Sequence, residues 1–290
     1  MKSVKVRSVG SLKLQFNPAR MVSSGAKIDK ATIAKRPCFL CGGNRPAVQM
    51  IRHFNENFDI LVNPFPILPV HFTIPACQHQ LQLIEQSYGV LHRLVDTYPE
   101  WMFFYNGPKC GASAPDHLHF QGGTKGLLPL QEQWSELDER RDVLVELNDC
   151  ESISLVRDFA HPAIVIKSRS EAADKQMFGM VYRSLPLQSD DAEPMMNIIA
   201  WKEGLDNLSV VFPRRKHRPD CYSAVGDEQY LISPGALDMG GLIILPREED
   251  YERLTEERLT AIMREIVLSP KDMEEVPQKI KGLHKQKSKL

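Results

Sequence analysis

The alternation of apolar and polar positions predicts a chain of short strands interrupted by amphipathic helices. Three stretches rich in β-branched and aromatic residues, VQMIRHF, FDILVNPF and HFTIPA, are typical of strands, with Asn and Pro between them. Apolar residues three and four positions apart then indicate a helix over 81–98. MFFYNG and HLHFQ have the composition of two further strands. The first half is thus predicted to run hairpin, strand, helix, strand, strand.

The second half loosely repeats this order. We predict strands at SISLVRDF and AIVIKS, a helix over 170–185 with Ser170 as its N-cap, and strands at MNIIAWKEG and LSVVFPRR. Such a repeat indicates an internal duplication. LSVVFP stands where HLHFQ stood, so only the first half is expected to keep chemistry on that strand. We predict an α+β fold in two units, 1–150 and 151–290, each an antiparallel sheet with helices packed on it.

The ends of the chain are less regular than its middle. Residues 1–36 have the pattern of a strand followed by a polar arm, and 240–254 that of a final strand and helix. The basic tail, 279–290, is expected to be frayed and solvated.

Composition narrows the class of protein. A chain of 290 residues with 42% hydrophobic and 25% charged residues can bury a substantial core without disulfides. A net charge of −1 argues against nucleic acid as a partner, and no apolar run is long enough to predict a membrane span. The N-terminal sequence lacks the apolar segment of a signal peptide. We therefore expect a cytoplasmic protein in which cysteines are free thiols or metal ligands.

The segment HLHFQ places three polar residues at alternate positions. In a strand, His117, His119 and Gln121 share one face, while Leu118 and Phe120 anchor the other face in a core. Neighbouring residues on one face are about 7 Å apart, so the two imidazoles are expected to serve different purposes. A neutral imidazole serves as a metal ligand or a nucleophile, and a carboxamide donates to an oxygen without adding charge.

A loop of small residues precedes this strand, with the sequence YNGPKCGASA. Such loops let backbone N–H groups approach an anion closely. A histidine beside an anion-accepting loop favours attack at phosphorus, and the plainer alternative is a solvent-facing strand edge that happens to carry two histidines. We predict substrate contacts at Asn106, Gly107 and Ser113.

A second motif, CFLCGGN, places Cys38 and Cys41 in a C-x-x-C turn. This spacing suits a tetrahedral zinc, which needs two more nitrogen or sulfur ligands. No thioredoxin-like βαβ pattern surrounds the pair to favour redox chemistry, and two buried free thiols are a further alternative. The candidates for the remaining ligands are His71, His79 and His117.

Together these segments resemble the branch of the histidine-triad superfamily that contains galactose-1-phosphate uridylyltransferase, GDP-hexose phosphorylases and diadenosine tetraphosphate phosphorylases. The resemblance covers about residues 16–123. It is carried by FNPARMVSS, CFLCGGN, FDILVNPFPIL, YNGPKCGASAPDH and PDHLHFQ. Two histidine-triad-like halves and a possible homodimer are what this resemblance implies.

The resemblance also assigns roles to residues. It implies that His119 is the nucleophile, that Gln121 binds the phosphoryl oxygen, and that His71 packs near the nucleotide. Structural zinc is implied at Cys38, Cys41, His79 and His117. Substrate binding is implied at Arg20, Asn63, Phe65 and Asn106. The implied activity is that of a nucleotidyltransferase or nucleotide-sugar phosphorylase for GDP- or UDP-hexoses. A covalent nucleotidyl-histidine forms, and phosphate or a sugar phosphate accepts the nucleotide.

Departures from the family pattern keep other functions open. Leu118 and Phe120 replace the Pro and Gly of the uridylyltransferase motif, so specificity for uridine and galactose does not follow. The alternatives are a diadenosine-polyphosphate phosphorylase or hydrolase and a non-catalytic nucleotide-binding protein. A zinc-ribbon interaction module would require a second close cysteine pair, which the sequence lacks.

Two segments of the second half have open roles. The basic run PRRKHRP, 213–219, suits either phosphate binding or a solvated loop. SPGALDMGG, 233–241, suits a tight turn, in which Asp238 either caps the turn or contacts a sugar hydroxyl.

Overall fold

The computed structural model describes residues 4–21, residue 25 and residues 29–287. Two sheets form the α+β fold that the sequence predicts: ten antiparallel strands in one, and a smaller sheet of three. The strands are β1 Lys5–Val9, β2 Leu12–Phe16, β3 Ile51–Phe54, β4 Phe58–Val62, β5 His71–Pro75, β6 Trp101–Asn106, β7 His119–Thr124, β8 Asp142–Asn148, β9 Glu151–Val156, β10 Ala163–Ser168, β11 Met196–Glu203, β12 Asp206–Pro213 and β13 Leu242–Leu245.

Helices connect and cover these strands. The described α-helices span Lys30–Lys35, Gly89–Thr97, Pro129–Glu132, Trp134–Glu139, Glu171–Ser184, Ala236–Met239, Glu248–Arg253, Glu256–Ile266 and Pro270–Lys287. None of the helices within these described segments combines the length and the apolar character needed to cross a bilayer.

The order of strands in the large sheet supports the predicted duplication. From one edge to the other it runs β3-β4-β5-β7-β6-β11-β12-β10-β9-β8. Each half therefore has its first three strands in sequence, then its fifth and fourth, with a long helix between the third and fourth. The halves meet where β6 pairs with β11, and Asn106 lies opposite Asn197 in that register. One continuous sheet thus joins them.

The two faces of the large sheet bury separate apolar cores. One face packs under the helices 89–97, 171–184 and 270–287. On the other face, the three-stranded sheet and the helices 248–253 and 256–266 cover mainly the second half. There Leu208, Val210 and Phe212 of β12 are fully buried. The corresponding face of β7 carries His119 and Gln121, so the two halves differ in polarity at this strand.

Several elements begin elsewhere than the sequence predicts. The helix expected over 81–98 starts at Gly89, because Ile84 N–H donates to the Glu193 carboxylate (2.9 Å) and the Gln82 side chain turns into the sheet. The strand expected from His117 starts at His119. The basic tail is not frayed up to Lys287: it continues a helix in which Val276 and Ile280 are buried. Residues 22–24 of the predicted arm and 288–290 of the tail lie outside the described residues.

Candidate active site

The strand β7 brings the predicted nucleophile and amide to one face of the sheet, with His119 buried and Gln121 half-buried. Thr73 and Phe104 lie directly opposite Gln121 on the strands to either side. The intervening side chains, Leu118 and Phe120, are fully buried in the core below. Strong anchoring of these apolar residues holds the polar residues of the same strand at fixed positions above it.

Hydrogen bonding defines the tautomer of His119. Its Nδ1 lies 2.8 Å from the backbone oxygen of His117. A carbonyl oxygen only accepts hydrogen bonds, so Nδ1 carries the proton and Nε2 keeps its lone pair. The ring is buried, and this desolvation lowers the pKa of His119 to about 4. A neutral imidazole with an unprotonated Nε2 is the form that acts as a nucleophile.

Gln82, which the sequence analysis did not single out, fixes the backbone of this site. Its Oε1 accepts the N–H of His119 (2.7 Å), and its Nε2 donates to the carbonyl oxygens of His119 and Asn106 (2.9 Å each). The side chain is fully buried. One carboxamide thus replaces the ladder bonds between the start of β7 and the end of β6. No local sequence signal marks this role, since Gln82 sits in an ordinary helix-like segment.

His71 orients the amide of Gln121. Ile67 N–H donates to His71 Nδ1 (3.1 Å), so the proton of this ring is on Nε2, which donates to Gln121 Oε1 (3.0 Å). The Gln121 NH2 group is therefore the end that remains to donate. Burial, with a smaller effect of the nearby Arg20 charge, lowers the pKa of His71 to about 4. Arg20 therefore lies near this side of the site, and its part in substrate binding stays a prediction.

The predicted nucleotide contacts form a turn beside β5. Asn63 Oδ1 accepts the N–H of Phe65 (2.9 Å), while Asn63 Nδ2 donates to Thr73 Oγ1 (3.0 Å). Thr73 is the residue opposite Gln121, which links the turn to β7. The ring of Phe65 is half exposed at 49%. It is thus an apolar surface at the rim of the polar site, of the kind on which a base stacks.

The small-residue loop makes contacts within the protein that an anion-binding loop would leave free. Gly107 N–H already donates to Met196 O (3.2 Å), so this predicted contact has no free backbone donor. Gly111 has a left-handed backbone with φ +95°, and a Cβ there would lie 2.8 Å from Gly235 Cα. Ser113 is half-buried. The loop therefore packs against the segment 233–241 of the second half.

The four predicted metal ligands converge on one point. The ligand atoms of Cys38, Cys41, His79 and His117 all lie within 4.8 Å of one another. His117 Nδ1 is 3.2 Å from Cys38 Sγ and 3.6 Å from Cys41 Sγ, and His79 Nδ1 is 3.3 Å from Cys41 Sγ. Bonds of about 2.3 Å to sulfur and 2.0 Å to nitrogen at tetrahedral angles give edges of about 3.5 Å. This Cys2His2 group can bind a metal ion.

Neighbouring contacts prepare the ligands for a metal. His117 Nε2 lies 2.8 Å from Ala76 O, so it carries the proton and leaves the Nδ1 lone pair toward the thiols. Asn44 Nδ2 donates to Cys38 O (2.9 Å), and Arg45 donates to Leu40 O (2.8 Å). The C-x-x-C turn is thus preformed, and His117 joins it to His119, whose Nδ1 lies against the His117 carbonyl oxygen.

Comparisons with known proteins agree with this fold. Residues 139–287, just over half of the chain, match the family model described as GDPGP1-like, C-terminal domain. Residues 1–124 match the model described as a domain of unknown function, DUF4922. A comparison with curated protein sequences finds no match.

Solved structures share the fold at low sequence identity. A yeast Ap4A phosphorylase superposes with a TM-score of 0.59 at 15% identity, covering 92% of this chain and 90% of that chain. The same yeast enzyme in complex with Ap4A has a TM-score of 0.56 at 16% identity, with 92% and 89% coverage. An ADP-glucose phosphorylase from Arabidopsis thaliana has a TM-score of 0.39 at 17% identity, with 92% and 100% coverage. The two superpositions on the yeast enzyme, together with the strand order of the large sheet, confirm the predicted α+β fold of two similar halves.

Proposed function

Since the chain belongs to the family of the GDPGP1-like C-terminal domain, within the uridylyltransferase and Ap4A phosphorylase branch of the histidine-triad superfamily, we propose that it is a nucleotidyltransferase of the phosphorylase type. Its substrate is a nucleoside diphosphate derivative, with the nucleotide sugars of GDP and UDP as the first class. The observation that supports this most is the set of three polar groups on one face: unprotonated His119 Nε2, and the amides of Gln121 and Asn106.

In the proposed reaction His119 Nε2 attacks the α-phosphorus. A nitrogen–phosphorus bond forms, the bond from that phosphorus to the bridging oxygen breaks, and the sugar phosphate leaves. Inorganic phosphate then attacks the nucleotidyl-histidine, the nitrogen–phosphorus bond breaks, and a nucleoside diphosphate is released. The Nδ1–H bond to His117 O stabilises the ring while it carries positive charge. The protons balance because the imidazole regains its starting form.

Two side-chain amides are proposed to donate hydrogen bonds to the charged phosphoryl oxygens. Gln121 presents NH2 because His71 occupies its oxygen, and Asn106 presents NH2 because its oxygen accepts from Asn197 and Ala236. A preorganised donor of this kind is worth about 3 kcal/mol of transition-state energy. Phe65 and Asn63 are the proposed base and ribose side of the site.

Zinc is the proposed occupant of the Cys2His2 group. Two thiolates and two imidazoles at tetrahedral spacing suit Zn²⁺, and four protein ligands leave no position for water. The metal then has a structural role, tying the C-x-x-C turn to the segment that carries His117.

The test is phosphorolysis of a panel of GDP-, UDP- and ADP-sugars and of diadenosine tetraphosphate, with and without phosphate. We expect turnover of at least one nucleotide sugar. Label from an α-³²P substrate should remain on the protein after an alkaline denaturing quench, which preserves histidine–phosphorus bonds. His119→Ala should carry no label, whereas His53→Ala, an exposed ring outside the site, should carry the wild-type amount.

The outcomes separate the candidate functions. Turnover of diadenosine tetraphosphate alone would assign the protein to the dinucleotide phosphorylases. Binding of the panel without turnover would leave a nucleotide-binding protein. Label retained by His119→Ala would refute the covalent role of that residue.

A further inference from the structure

We propose that Arg214 and Asn197 of the second half are positioning residues that orient the amide of Asn106, so that its NH2 group faces the reacting phosphoryl group. This rests on the proposed function. It gives the catalytically silent half a direct part in the chemistry, through the seam where β6 pairs with β11.

The donors and acceptors along this path permit one arrangement. Arg214 has only donors, and its Nη1 lies 2.7 Å from Asn197 Oδ1. Asn197 must therefore turn its Nδ2 the other way, where it donates to Asn106 Oδ1 (2.8 Å) and to Cys110 O (2.7 Å). Ala236 N–H donates to the same Asn106 Oδ1 (2.7 Å). Two donors hold that oxygen, so Nδ2 is the free end of Asn106.

The position of Asn106 places that free end at the reacting centre. The β6–β7 register pairs Phe104 with Gln121, and continuing it by two residues places Asn106 opposite His119. Gln82 Nε2 bridges the carbonyl oxygens of both residues. Directly paired residues of neighbouring strands project from the same face. Within the described part of the chain, Asn106 Nδ2 has no hydrogen-bond partner, which leaves it to the substrate.

Arg214 buries a charged guanidinium group that has no carboxylate partner among the described residues. Its side chain is 1% exposed, and its bonds go to Asn197, Pro234 O, Lys216 O and His217 O, all uncharged oxygens. Among the described residues no carboxylate pairs with it, and its buried Nε has no partner. A buried unpaired charge is costly, so a stabilising anion is expected nearby. Asp238 is such a charge: its carboxylate favours the charged form of Arg214 from nearby, and no hydrogen bond between the two is described.

This arrangement accounts for both unassigned segments of the second half. The basic run 213–219 supplies Arg214 to the interior, so neither direct phosphate binding nor a solvated loop describes that residue. The segment 233–241 supplies Ala236 N–H and Pro234 O, and a Cβ at Gly235 would lie 3.1 Å from Asn106 Oδ1. Asp238 accepts from Gly235 N and Ile244 N (2.9 Å each), which is the predicted capping role.

The test is Asn197→Asp, which keeps the shape and the acceptor for Arg214 but removes the donor. The new carboxylate repels Asn106 Oδ1, so Ala236 N–H alone holds that oxygen and the NH2 group is no longer fixed toward the phosphate. We expect kcat on the nucleotide sugar turned over in the panel to fall about tenfold to a hundredfold. In an Asn106→Ala background the same change should alter kcat less than twofold, because the group through which it acts is gone.

Asn207→Asp is the matched control, since Asn207 is a buried asparagine of the second half that bonds Asp96 and His92, away from the site. Its kcat should remain at the wild-type value even if its Tm falls. An equal fall in kcat for Asn197→Asp in both backgrounds, or no fall in the wild-type background, would overturn the proposal.

A wild type inactive on the whole panel would refute the proposed function without deciding this point. The coupling of Asn197 to Asn106 is then judged from the Tm values of the wild type, Asn197→Asp, Asn106→Ala and the double variant. Asn197→Asp should lower Tm less in the Asn106→Ala background, where no amide oxygen faces the new carboxylate. Equal losses of Tm in the two backgrounds would show that Asn197 and Asn106 are not coupled, which would overturn the proposal that Asn197 orients Asn106.

Discussion

Cys38 links the C-x-x-C turn to the segment just before β7, because its Sγ lies 3.2 Å from Nδ1 of His117. We predict that Cys38→Ser loses most of the bound metal and lowers Tm, since a three-ligand site with a hydroxyl binds Zn²⁺ far more weakly. Metal content by atomic emission and thermal unfolding measure the two effects. Cys77→Ser is the control, because Cys77 is exposed and outside the cluster.

The two cysteine variants separate a metal site from buried free thiols. A metal site requires one equivalent of zinc in the wild type and in Cys77→Ser, and little in Cys38→Ser. Equal metal content in all three proteins would exclude the assignment. The oxidised alternative, a disulfide across the C-x-x-C turn, would appear as loss of two titratable thiols in the wild type.

Single residues also mark the limit of prediction from sequence. The Cys2His2 group lies together as the family resemblance implies, and the roles of its members and of His119 and Gln121 stay predictions. Gln82 and Arg214 could not be singled out from the sequence, since their contacts depend on partners far away in the chain. A lone glutamine in a helix-like segment and an arginine in a basic run look solvent-exposed. Only the tertiary contacts reveal that both are buried.

At the scale of elements, β7 is packed so closely against its neighbours that Gly123 leaves no space for a side chain. A Cβ at Gly123 would lie 2.2 Å from Val70 O, a backbone atom that cannot move without shifting the loop before β5. We predict that Gly123→Ala destabilises the fold by about 2 kcal/mol or more, as overpacking against a fixed neighbour does. Gly282→Ala is the control: nothing lies within 4 Å of its Cβ, and alanine favours the helix. Urea unfolding measures both.

The two glycine variants are predicted to change the free energy of unfolding in different directions. Gly282→Ala should leave the free energy of unfolding unchanged or raise it by up to about 1 kcal/mol. If Gly123→Ala were equally neutral, the pairing of β5 with β7 would be looser than described. The site would then lack the rigid strand on which the placement of Gln121 depends.

Some elements form where the sequence predicts them, and others were missed. AIVIKS forms β10 over the predicted residues, and Ser170 caps the following helix through a bond from Ala173 N–H (3.4 Å). The helix 256–266 and the tail helix 270–287 went unpredicted, although their apolar residues lie in the two cores. The helix 256–266 has buried apolar residues three and four positions apart, at Leu259, Ile262, Met263 and Ile266, so its pattern was present in the sequence. Charged residues dominate the tail helix 270–287, and packing on the sheet stabilises it.

On the scale of the whole molecule, each core contains residues from both halves, so the protein should unfold as one unit. Buried neutral imidazoles then make the entire fold sensitive to acid. Burial lowers the pKa of His161 to about 4, against about 6.5 in the unfolded chain. Between these values the unfolded chain takes up a proton that the folded chain refuses. The free energy of unfolding therefore falls as pH drops from 6.5, by about 3 kcal/mol at pH 4.

The comparison of wild type with His161→Gln isolates this contribution. Glu193 acts in the opposite direction, because burial raises its pKa to about 7 and the folded state holds its proton first. Both proteins contain Glu193, so its effect cancels in their difference. Gln keeps a donor for Met239 O, which His161 Nε2 contacts at 3.0 Å. We predict that the Tm advantage of the wild type at pH 7 shrinks or reverses by pH 5. A constant difference across this range would mean that His161 is protonated within the fold, and that the core behind β12 admits charge.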